Sequence, residues 1–298
     1  MPTFVTWNIQ SARTRADGLD PGRIVAALDR FADAHVLCLQ EVAAGFSDPD
    51  GTARGDWFTA LAAQLPGYQF AALAPLDRFS RGGAHERLGS VVCSRYPMLQ
   101  VLRHSLPWPA DPEQPSMPRG VLEVTLAAPG GLLRVLSVHL EYFSLPQRMA
   151  QVGRLRELHC EALAHARNPA PGLPGGGPFA ALPRAAPAIL LGDFNMLPGS
   201  PEYARLLAPP DAGMPGLCDA WQLAHPGERH APTVGLHEDA PGAGTPFTCD
   251  YAFVTADLAT RVRRLRVDGH DTGSAHQPLV LELELELGLD ATASPPSG

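Results

Sequence analysis

The sequence contains few cysteines and no long apolar run. Only five of its 298 residues are cysteine, and no pair has the C-x-x-C spacing typical of zinc ligands. The odd number and wide spacing also disfavour a disulfide framework and fit a reducing compartment. No stretch approaches the ~20 apolar residues that a membrane span needs, and no positively charged leader precedes the first strand pattern. We therefore expect a cytoplasmic protein without a membrane span.

Positive charge is also in deficit. The chain has 23 lysines and arginines against 31 aspartates and glutamates, which gives a net charge of −8. Broad, charge-driven binding of nucleic acid requires a basic face, so this balance disfavours it. A local basic groove stays compatible with the same total, and an acidic cleft would suit divalent cations.

Apolar runs of strand length and segments of helical spacing follow one another along the chain. This pattern favours an α/β fold in one domain, residues 1–289, followed by a disordered polar tail, residues 290–298. Residues 168–187, rich in Pro, Gly and Ala, are expected to form a surface loop. Helices are predicted over 21–34, 57–65 and 146–166. Strands are predicted over 4–9, 36–39, 68–73, 88–93, 99–104, 121–126, 132–138, 188–191, 249–254, 262–267 and 278–287.

Polar side chains stand where several of these strand patterns begin or end. A buried carboxylate or amide must be paired or coordinated, so a repeated pattern of this kind indicates a shared site. Carboxylate and amide oxygens are hard ligands that suit Mg²⁺ or Mn²⁺, and histidines can contact phosphate or move protons near neutral pH. The residues are Asn8, Glu41, His139, Asp193, Asn195, Asp250 and His276.

The order of the motifs W-N-I, L-Q-E, S-V-H-L, G-D-F-N, D-Y-x-F-V and S-x-H-Q-P resembles the endonuclease/exonuclease/phosphatase superfamily. That superfamily includes deoxyribonuclease I-like nucleases, abasic-site endonucleases, neutral sphingomyelinases, deadenylases and inositol-polyphosphate 5-phosphatases. The resemblance spans residues 4–287. It implies a four-layer α/β sandwich, in which two mixed β-sheets pack face to face with helices on the outer faces.

The resemblance also implies a role for each site residue. Glu41 would be the principal ligand of Mg²⁺ or Mn²⁺, with Asn8 beside it. Asp193 would position or deprotonate the attacking water, and Asn195 would orient the phosphate.

The two histidines have implied roles on the substrate. His139 would hydrogen-bond the scissile phosphate or protonate the leaving oxygen. His276 would contact a phosphoryl oxygen or act as the base, and Asp250 would fix its tautomer and raise its basicity.

The chain departs from the superfamily pattern at Ala275, where an aspartate usually precedes the histidine. This change puts a second metal site in doubt, and Asp271 or Asp268 is a candidate substitute. Gly89-Ser90 replaces a common Gly-Asn, so an amide contact to phosphate is expected to be missing there. Arg119, just before a strand, is open to two interpretations, a phosphate contact or a solvent-exposed residue.

We expect a metal-dependent phosphoesterase whose substrate is a phosphodiester, with nucleic acid as the leading class by resemblance. One alternative is a hydrolase of lipid or small-molecule phosphates. A second alternative, suggested by Ala275, is a weakened relative that binds phosphate ligands without turnover.

Overall fold

Two six-stranded β-sheets form the framework of the protein. A computed structural model describes residues 1–12, 21–47, 55–210, 215–237 and 245–285. The strands in these ranges are β1 (Thr3–Asn8), β2 (Val36–Ala44), β3 (Gln69–Phe79), β4 (His85–Ser94), β5 (Met98–Ser105), β6 (Gly120–Ala128), β7 (Gly131–His139), β8 (Ala188–Asp193), β9 (Leu217–Asp219), β10 (Asp250–Thr255), β11 (Val262–Val267) and β12 (Leu279–Leu283). The first sheet has the order β11-β12-β1-β2-β4-β3, and the second has the order β5-β6-β7-β8-β10-β9. Both sheets are mixed, because β1 is parallel to β2 and β7 is parallel to β8.

Helices cover the outer faces of both sheets. Leu28 and Leu61 share an apolar cluster with the first sheet, whereas Val152 and Leu206 pack on the second. Burying one such side chain stabilises the fold by roughly 1.5–3 kcal/mol. The predicted four-layer sandwich is therefore confirmed. The helices are α1 (Pro21–Asp29), α2 (Trp57–Gln64), α3 (Leu145–Arg167), α4 (Pro201–Leu207) and α5 (Ala220–Ala224).

Strand alternation directs the polar motif residues into the space between the sheets. Phe4 of β1 and Ile189 and Leu191 of β8 belong to the apolar cluster that fills this space. Successive side chains of a strand point to opposite faces, so Asn8 and Asp193 point the same way as these core residues. Strands β7 and β10 follow the same rule. The core between the sheets thus ends in a layer of polar side chains.

Strand β2 is longer than predicted. It was expected to end at residue 39, but it continues to Ala44 because a bulge between Leu39 and Val42 lets the strand resume its pairing with β4. Gln40 and Glu41 therefore lie within a strand and not at its end.

Other boundaries moved as well. Strand β3 continues to Phe79, six residues beyond its predicted end. Helix α1 ends at Asp29, five residues before its predicted end, and is followed by tight turns. Strand β12 ends at Leu283, although Leu285 is also buried. The sequence patterns missed α4, β9 and α5, which have seven, three and five residues and are too short to show a clear period. Residues 286–298, which include the predicted tail and the boundary at 289, lie outside the described residues.

All five cysteines are free thiols. No helix in the described ranges has the length and apolar character required to cross a membrane. The cytoplasmic location stays a prediction.

Gly192 is required by the close approach of β7 and β8. Its φ is 152°, and a Cβ atom at this position would lie 1.9 Å from the carbonyl oxygen of Val138. We expect Gly192→Ala to lower the free energy of unfolding by roughly 3 kcal/mol or more, because backbone must move to relieve this clash. Urea denaturation measures the change.

Gly153→Ala is the matched control. Gly153 lies in α3, where a Cβ atom would come no closer than 3.5 Å to the tip of Arg205. This substitution should stabilise the protein by about 0.5–1 kcal/mol, since alanine is the better helix former. Equal unfolding free energies for both variants would contradict the role assigned to Gly192.

Candidate active site

The polar residues predicted from the motifs meet at one end of the space between the sheets. Parallel pairing aligns His139 with Asp193, and antiparallel pairing aligns Asp250 with Asp193. Hydrogen bonds and ion contacts connect the whole set, so the structure brings all seven predicted residues together. They are Asn8, Glu41, His139, Asp193, Asn195, Asp250 and His276.

A buried amide separates this site from the apolar core. The Nε2 atom of Gln40 lies within hydrogen-bond distance of Thr6 Oγ1 (3.1 Å), the Cys38 carbonyl oxygen (3.0 Å) and Ser137 Oγ (3.2 Å), so its two hydrogens are shared among three acceptors. Thr6 and Gln40 belong to the first sheet and Ser137 belongs to the second. The two sheets are thus joined by hydrogen bonds directly below the site.

Asn8 joins two carboxylates across the sheets. Its Nδ2 atom donates to Glu41 Oε1 and to Asp193 Oδ2, both at 3.0 Å. The Oδ1 atom accepts from the backbone nitrogen of Gln10 at 3.0 Å, which fixes the orientation of the amide. Asn8 is fully buried, so both carboxylates are held in place by a group that itself cannot move freely.

Glu41 lies on strained backbone. It has a φ of 56°, in the left-handed region that residues other than glycine rarely adopt. The bulge in β2 places it there, and Ser11 Oγ donates to its carbonyl oxygen at 2.9 Å. The carboxylate of this half-buried residue is thereby directed toward Asn8 and the cleft.

Asp193 and Asn195 form a tight turn at the end of β8. The backbone nitrogen of Asn195 donates to Asp193 Oδ1 (2.9 Å), and its φ is 48°. Asn195 Nδ2 donates to the carbonyl oxygen of Leu140 at 2.9 Å. An amide nitrogen carries two hydrogens, so one remains for a ligand. The turn also leaves Asp193 Oδ2 facing Asn8 and the two histidines.

His276 and Asp250 form a buried pair. His276 Nδ1 donates to Asp250 Oδ2 at 2.9 Å, and Thr233 Oγ1 donates to the same oxygen at 2.7 Å. Burial alone would lower the pKa of His276, but the charge and the hydrogen bond of Asp250 outweigh it and raise the pKa from 6.5 to about 9. His276 is therefore an imidazolium at neutral pH.

The pKa of His139 is shifted in the opposite direction. Its Nε2 atom lies 3.0 Å from Arg119 Nη1 and 3.6 Å from Asp193 Oδ2. Burial, followed by the positive charges of Arg119 and His276, lowers its pKa well below 6.5. The ring is neutral, and Nε2 accepts from Arg119. Arg119 in turn donates through Nε to Glu141 Oε2 at 3.3 Å.

The surroundings of Asp193 raise the pKa of its carboxyl group. Burial and the nearby charge of Asp250 raise its pKa from 3.8 to about 6, although His276 and the hydrogen bond from Asn8 act in the other direction. A carboxyl group with such a pKa is a stronger base than an ordinary aspartate.

One protein-family model matches most of the chain. Residues 5–276 match the model of the Endonuclease/Exonuclease/phosphatase family. This chain belongs to that family. Its members are phosphoester hydrolases that generally depend on divalent metal ions. No curated protein matches the chain significantly.

Solved structures of family members share the fold. The endonuclease/exonuclease/phosphatase from Beutenbergia cavernae is 23% identical, with a TM-score of 0.60 over 94% of this chain and 70% of that one. The mannosyl-6-phosphatase Bt3783 from Bacteroides thetaiotaomicron is 18% identical, with a TM-score of 0.64 over 95% and 100%. A 3′ phosphatase from Neisseria, bound to a product DNA hairpin, is 20% identical, with a TM-score of 0.58 over 95% and 100%.

The donor set fits the divalent ion on which the family depends. Glu41, Asp193 and Asp250 bring three carboxylates to a mostly buried site, where His276 supplies one compensating charge and His139 is neutral. Excess negative charge on hard oxygen donors is the environment that Mg²⁺ or Mn²⁺ prefers.

The departures from the family pattern have clear structural settings. Ala275 is buried, and its backbone nitrogen donates to Gln10 Oε1 at 2.9 Å. Asp271 and Asp268 both bind Arg30, so their carboxylates are already paired elsewhere. Ser90 lines a groove beside His139.

Of the two interpretations of Arg119, the solvent-exposed one is wrong, because Arg119 is buried against His139. Sequence reasoning missed two further residues that touch the site. The thiol of Cys249 lies 3.5 Å from Asp250 Oδ2 and within a 4.8 Å cluster that also contains Asp193 and His276. Thr233 stands in no motif, so only the fold reveals its contact with Asp250.

The His276–Asp250 pair predicts a pH dependence of stability. The pKa of His276 is about 9 in the folded protein and ordinarily 6.5, so its contribution is fully present below pH 6.5 and is lost as the pH rises to 9. We expect the unfolding free energy of the metal-free protein to fall over this range by up to roughly 3 kcal/mol relative to His276→Gln. Denaturation at a series of pH values measures the difference.

His165→Gln, at an exposed position in the last turn of α3, serves as the control and should keep the wild-type slope. Parallel pH curves for the wild type and His276→Gln would show that Asp250 does not hold a proton on His276.

Proposed function

We propose that the protein is a Mg²⁺- or Mn²⁺-dependent phosphodiesterase that hydrolyses P–O bonds by in-line attack of water. One observation carries this proposal. The buried carboxylate of Asp193 lies 3.0 Å from the amide of Asn8, 3.6 Å from His139 and 4.0 Å from His276, at the mouth between the sheets. A base, a cation and neutral hydrogen-bonding groups thus surround one space.

Asp193 is assigned to the attacking water. Its Oδ1 atom accepts from the Asn195 backbone and its Oδ2 atom accepts from Asn8. Oδ2 is the oxygen that faces the two histidines, so its second lone pair is assigned to accept the proton. As the water oxygen bonds to phosphorus, its proton passes to Asp193 and the bond from phosphorus to the leaving oxygen breaks. A pKa of about 6 keeps this carboxylate ionised at neutral pH while making it a better base.

The cationic and amide groups are assigned to the phosphoryl oxygens. Since His276 is protonated, contact with a phosphoryl oxygen is favoured over the role of base. Asn195 provides a neutral contact through the remaining hydrogen of its amide, and the Arg119 guanidinium, which His139 holds in place, adds positive charge. Groups fixed in advance where charge develops are the main source of transition-state stabilisation in such reactions.

Glu41 and Asn8 are assigned to the metal ion. Glu41 is held on a strained bulge, and Asn8 links it to Asp193, so both are fixed by the fold. When bound, the ion would neutralise charge on the phosphate and leaving oxygen. Family membership supports this dependence on a divalent ion.

A phosphodiester in nucleic acid is the substrate class we favour. The groove beside His139 is lined by Gly89, Ser90 and Arg119 and would take the chain on one side of the scissile phosphate. The Neisseria relative is described as a 3′ phosphatase bound to a product DNA hairpin, which agrees with nucleic acid as the substrate but not with a diester as the bond cleaved. The Bacteroides relative is a sugar phosphatase, so a small phosphate monoester is the competing outcome.

We expect the wild-type protein to cleave bis-p-nitrophenyl phosphate with Mn²⁺ or Mg²⁺ and to lose this activity in EDTA. Asp193→Asn should lower kcat by ~10²-fold or more, because the proton acceptor is removed while the turn remains. Release of p-nitrophenolate measures the rate.

Controls separate catalysis from folding and from metal binding. Asn168→Ala, at an exposed position after α3, should keep the wild-type rate. Glu41→Gln should weaken Mn²⁺ binding in calorimetry. Turnover that survives EDTA, or full activity of Asp193→Asn, would refute the proposed mechanism. Phosphate-ligand binding without turnover would instead support a non-catalytic relative.

The substrate class is tested by direct competition. Plasmid DNA, single-stranded oligonucleotides, sphingomyelin, a lysophospholipid and mannose 6-phosphate are incubated with equal amounts of enzyme and Mn²⁺. We expect the highest kcat/KM on the nucleic acids, with a rate that falls as salt is added because phosphate contacts release counterions. Higher kcat/KM on a lipid or on the sugar phosphate would overturn the nucleic-acid assignment.

A further inference from the structure

The short turn after β1 connects residues that belong to opposite sides of the site. Gln10 and Ser11 have φ values of 46° and 55°, so two consecutive residues occupy the unfavourable left-handed region. Together with Glu41 and Asn195 they are the non-glycine residues with positive φ in the described ranges. Unfavourable backbone is therefore concentrated around the site and not spread over the loops.

Gln10 bonds in two directions from this turn. Its backbone nitrogen donates to Asn8 Oδ1 at 3.0 Å. Its side-chain oxygen accepts from the backbone nitrogen of Ala275 at 2.9 Å and from Ser274 Oγ at 3.3 Å. One residue thus holds the amide that bridges Glu41 to Asp193 and also the loop that carries His276.

Ser274 closes the connection. Its hydroxyl also lies 2.7 Å from the Asn8 carbonyl oxygen, to which it donates, and it accepts from the backbone nitrogen of His276 at 3.2 Å. The hydroxyl has one hydrogen, which Asn8 and Gln10 share. The His276 loop is therefore joined to the end of β1 by several bonds, two of which are made by the Gln10 side chain and one by the Asn8 carbonyl oxygen.

The residue at position 275 explains why the loop needs an acceptor from a long amide side chain such as that of Gln10. Alanine has no polar group of its own, and this alanine is only 4% exposed. Its buried N–H requires a partner, since an unsatisfied buried donor is costly. The side-chain oxygen of Gln10 supplies this acceptor at 2.9 Å.

We propose that Gln10 is a positioning residue, which fixes His276 relative to Asn8 and thereby to Asp193. The inference rests on the proposed function for its kinetic consequence only, because the geometry of His276 is measurable without turnover. Displacing His276 by a fraction of an ångström would reduce stabilisation of the transition state more than binding of the substrate.

The test compares Gln10→Met with Gln10→Glu. Methionine is similar in length but removes the acceptor, whereas glutamate retains it. We expect Gln10→Met to lower kcat for bis-p-nitrophenyl phosphate by ~10-fold or more with KM changed by less than about 3-fold, and Gln10→Glu to recover most of the loss. Gln64→Met, at an exposed position in α2, is the matched control and should behave as the wild type.

A spectroscopic signal tests the position of His276 itself. The Nδ1 proton bonded to Asp250 should give a downfield ¹H resonance in ¹⁵N-histidine-labelled protein, assigned by its loss in His276→Gln. This resonance should shift or exchange faster with water in Gln10→Met and stay in place in Gln10→Glu. Should Gln10→Met not fold, Ser274→Ala, which removes the shared hydroxyl, is expected to shift the same resonance.

The outcomes separate this inference from the proposed function. An unchanged His276 resonance together with wild-type kcat in Gln10→Met would overturn the positioning role. A lowered kcat with an unchanged resonance would also overturn it, because the effect would then not pass through His276. If the wild type cleaves no phosphodiester but the resonance shifts as expected, the proposed function fails and the positioning role stands.

Discussion

The bond pattern of one amide side chain holds the site together. Asn8 places a single nitrogen between Glu41 and Asp193, which belong to different sheets and would otherwise repel each other. Both carboxylates approach within 3.0 Å of that nitrogen because it carries two hydrogens and because its oxygen is fixed by the turn that follows. The fully buried side chain of Asn8 thereby fixes the two sheets relative to each other. The distance between Glu41 and Asp193 in turn sets the spacing of the other site residues.

Neighbouring residues shift the pKa values of the two buried histidines in opposite directions. His276 beside Asp250 is held as a cation, whereas His139 beside Arg119 is held neutral, although both rings are buried at the same mouth. Asp193 has a raised pKa of about 6, since burial and Asp250 together outweigh its stabilising partners. Pairs of like groups whose environments separate their pKa values are typical of sites in which one group accepts a proton and another supports charge. This division of roles comes from the surroundings and not from residue type.

The period of two along the strands made much of this site predictable. Asn8, His139, Asp193 and Asp250 continue the inward-facing positions of their strands, so alternation alone aims them into one space. The helices and strands that show several full periods were also found. The bulge in β2 was not predictable, because an extra residue leaves the apolar pattern of 36–39 unchanged and only the pairing with β4 reveals it.

Long-range contacts were beyond the reach of local patterns. Gln10 contacts Ser274 and Ala275, which are more than 260 positions away, and no sequence pattern near Gln10 or near Ser274 predicts the contact. The burial of Arg119 was not predictable for the same reason. It depends on contacts with His139 at the end of β7 and with Glu141 just after it.

The position of β12 has a consequence for how the protein matures. This strand is translated after every other described strand, yet it lies inside the first sheet, between β11 and β1, and not at an edge. Trp7 Nε1 in β1 donates to the carbonyl oxygen of His276, so the first strand contacts the loop that leads into the last described strand. A chain still emerging from the ribosome has a gap in that sheet and no His276 at the cleft. The first sheet and the cluster of polar side chains beside it are therefore completed only when β12 pairs with β1, by contacts of very large sequence separation, a topology that favours slow folding.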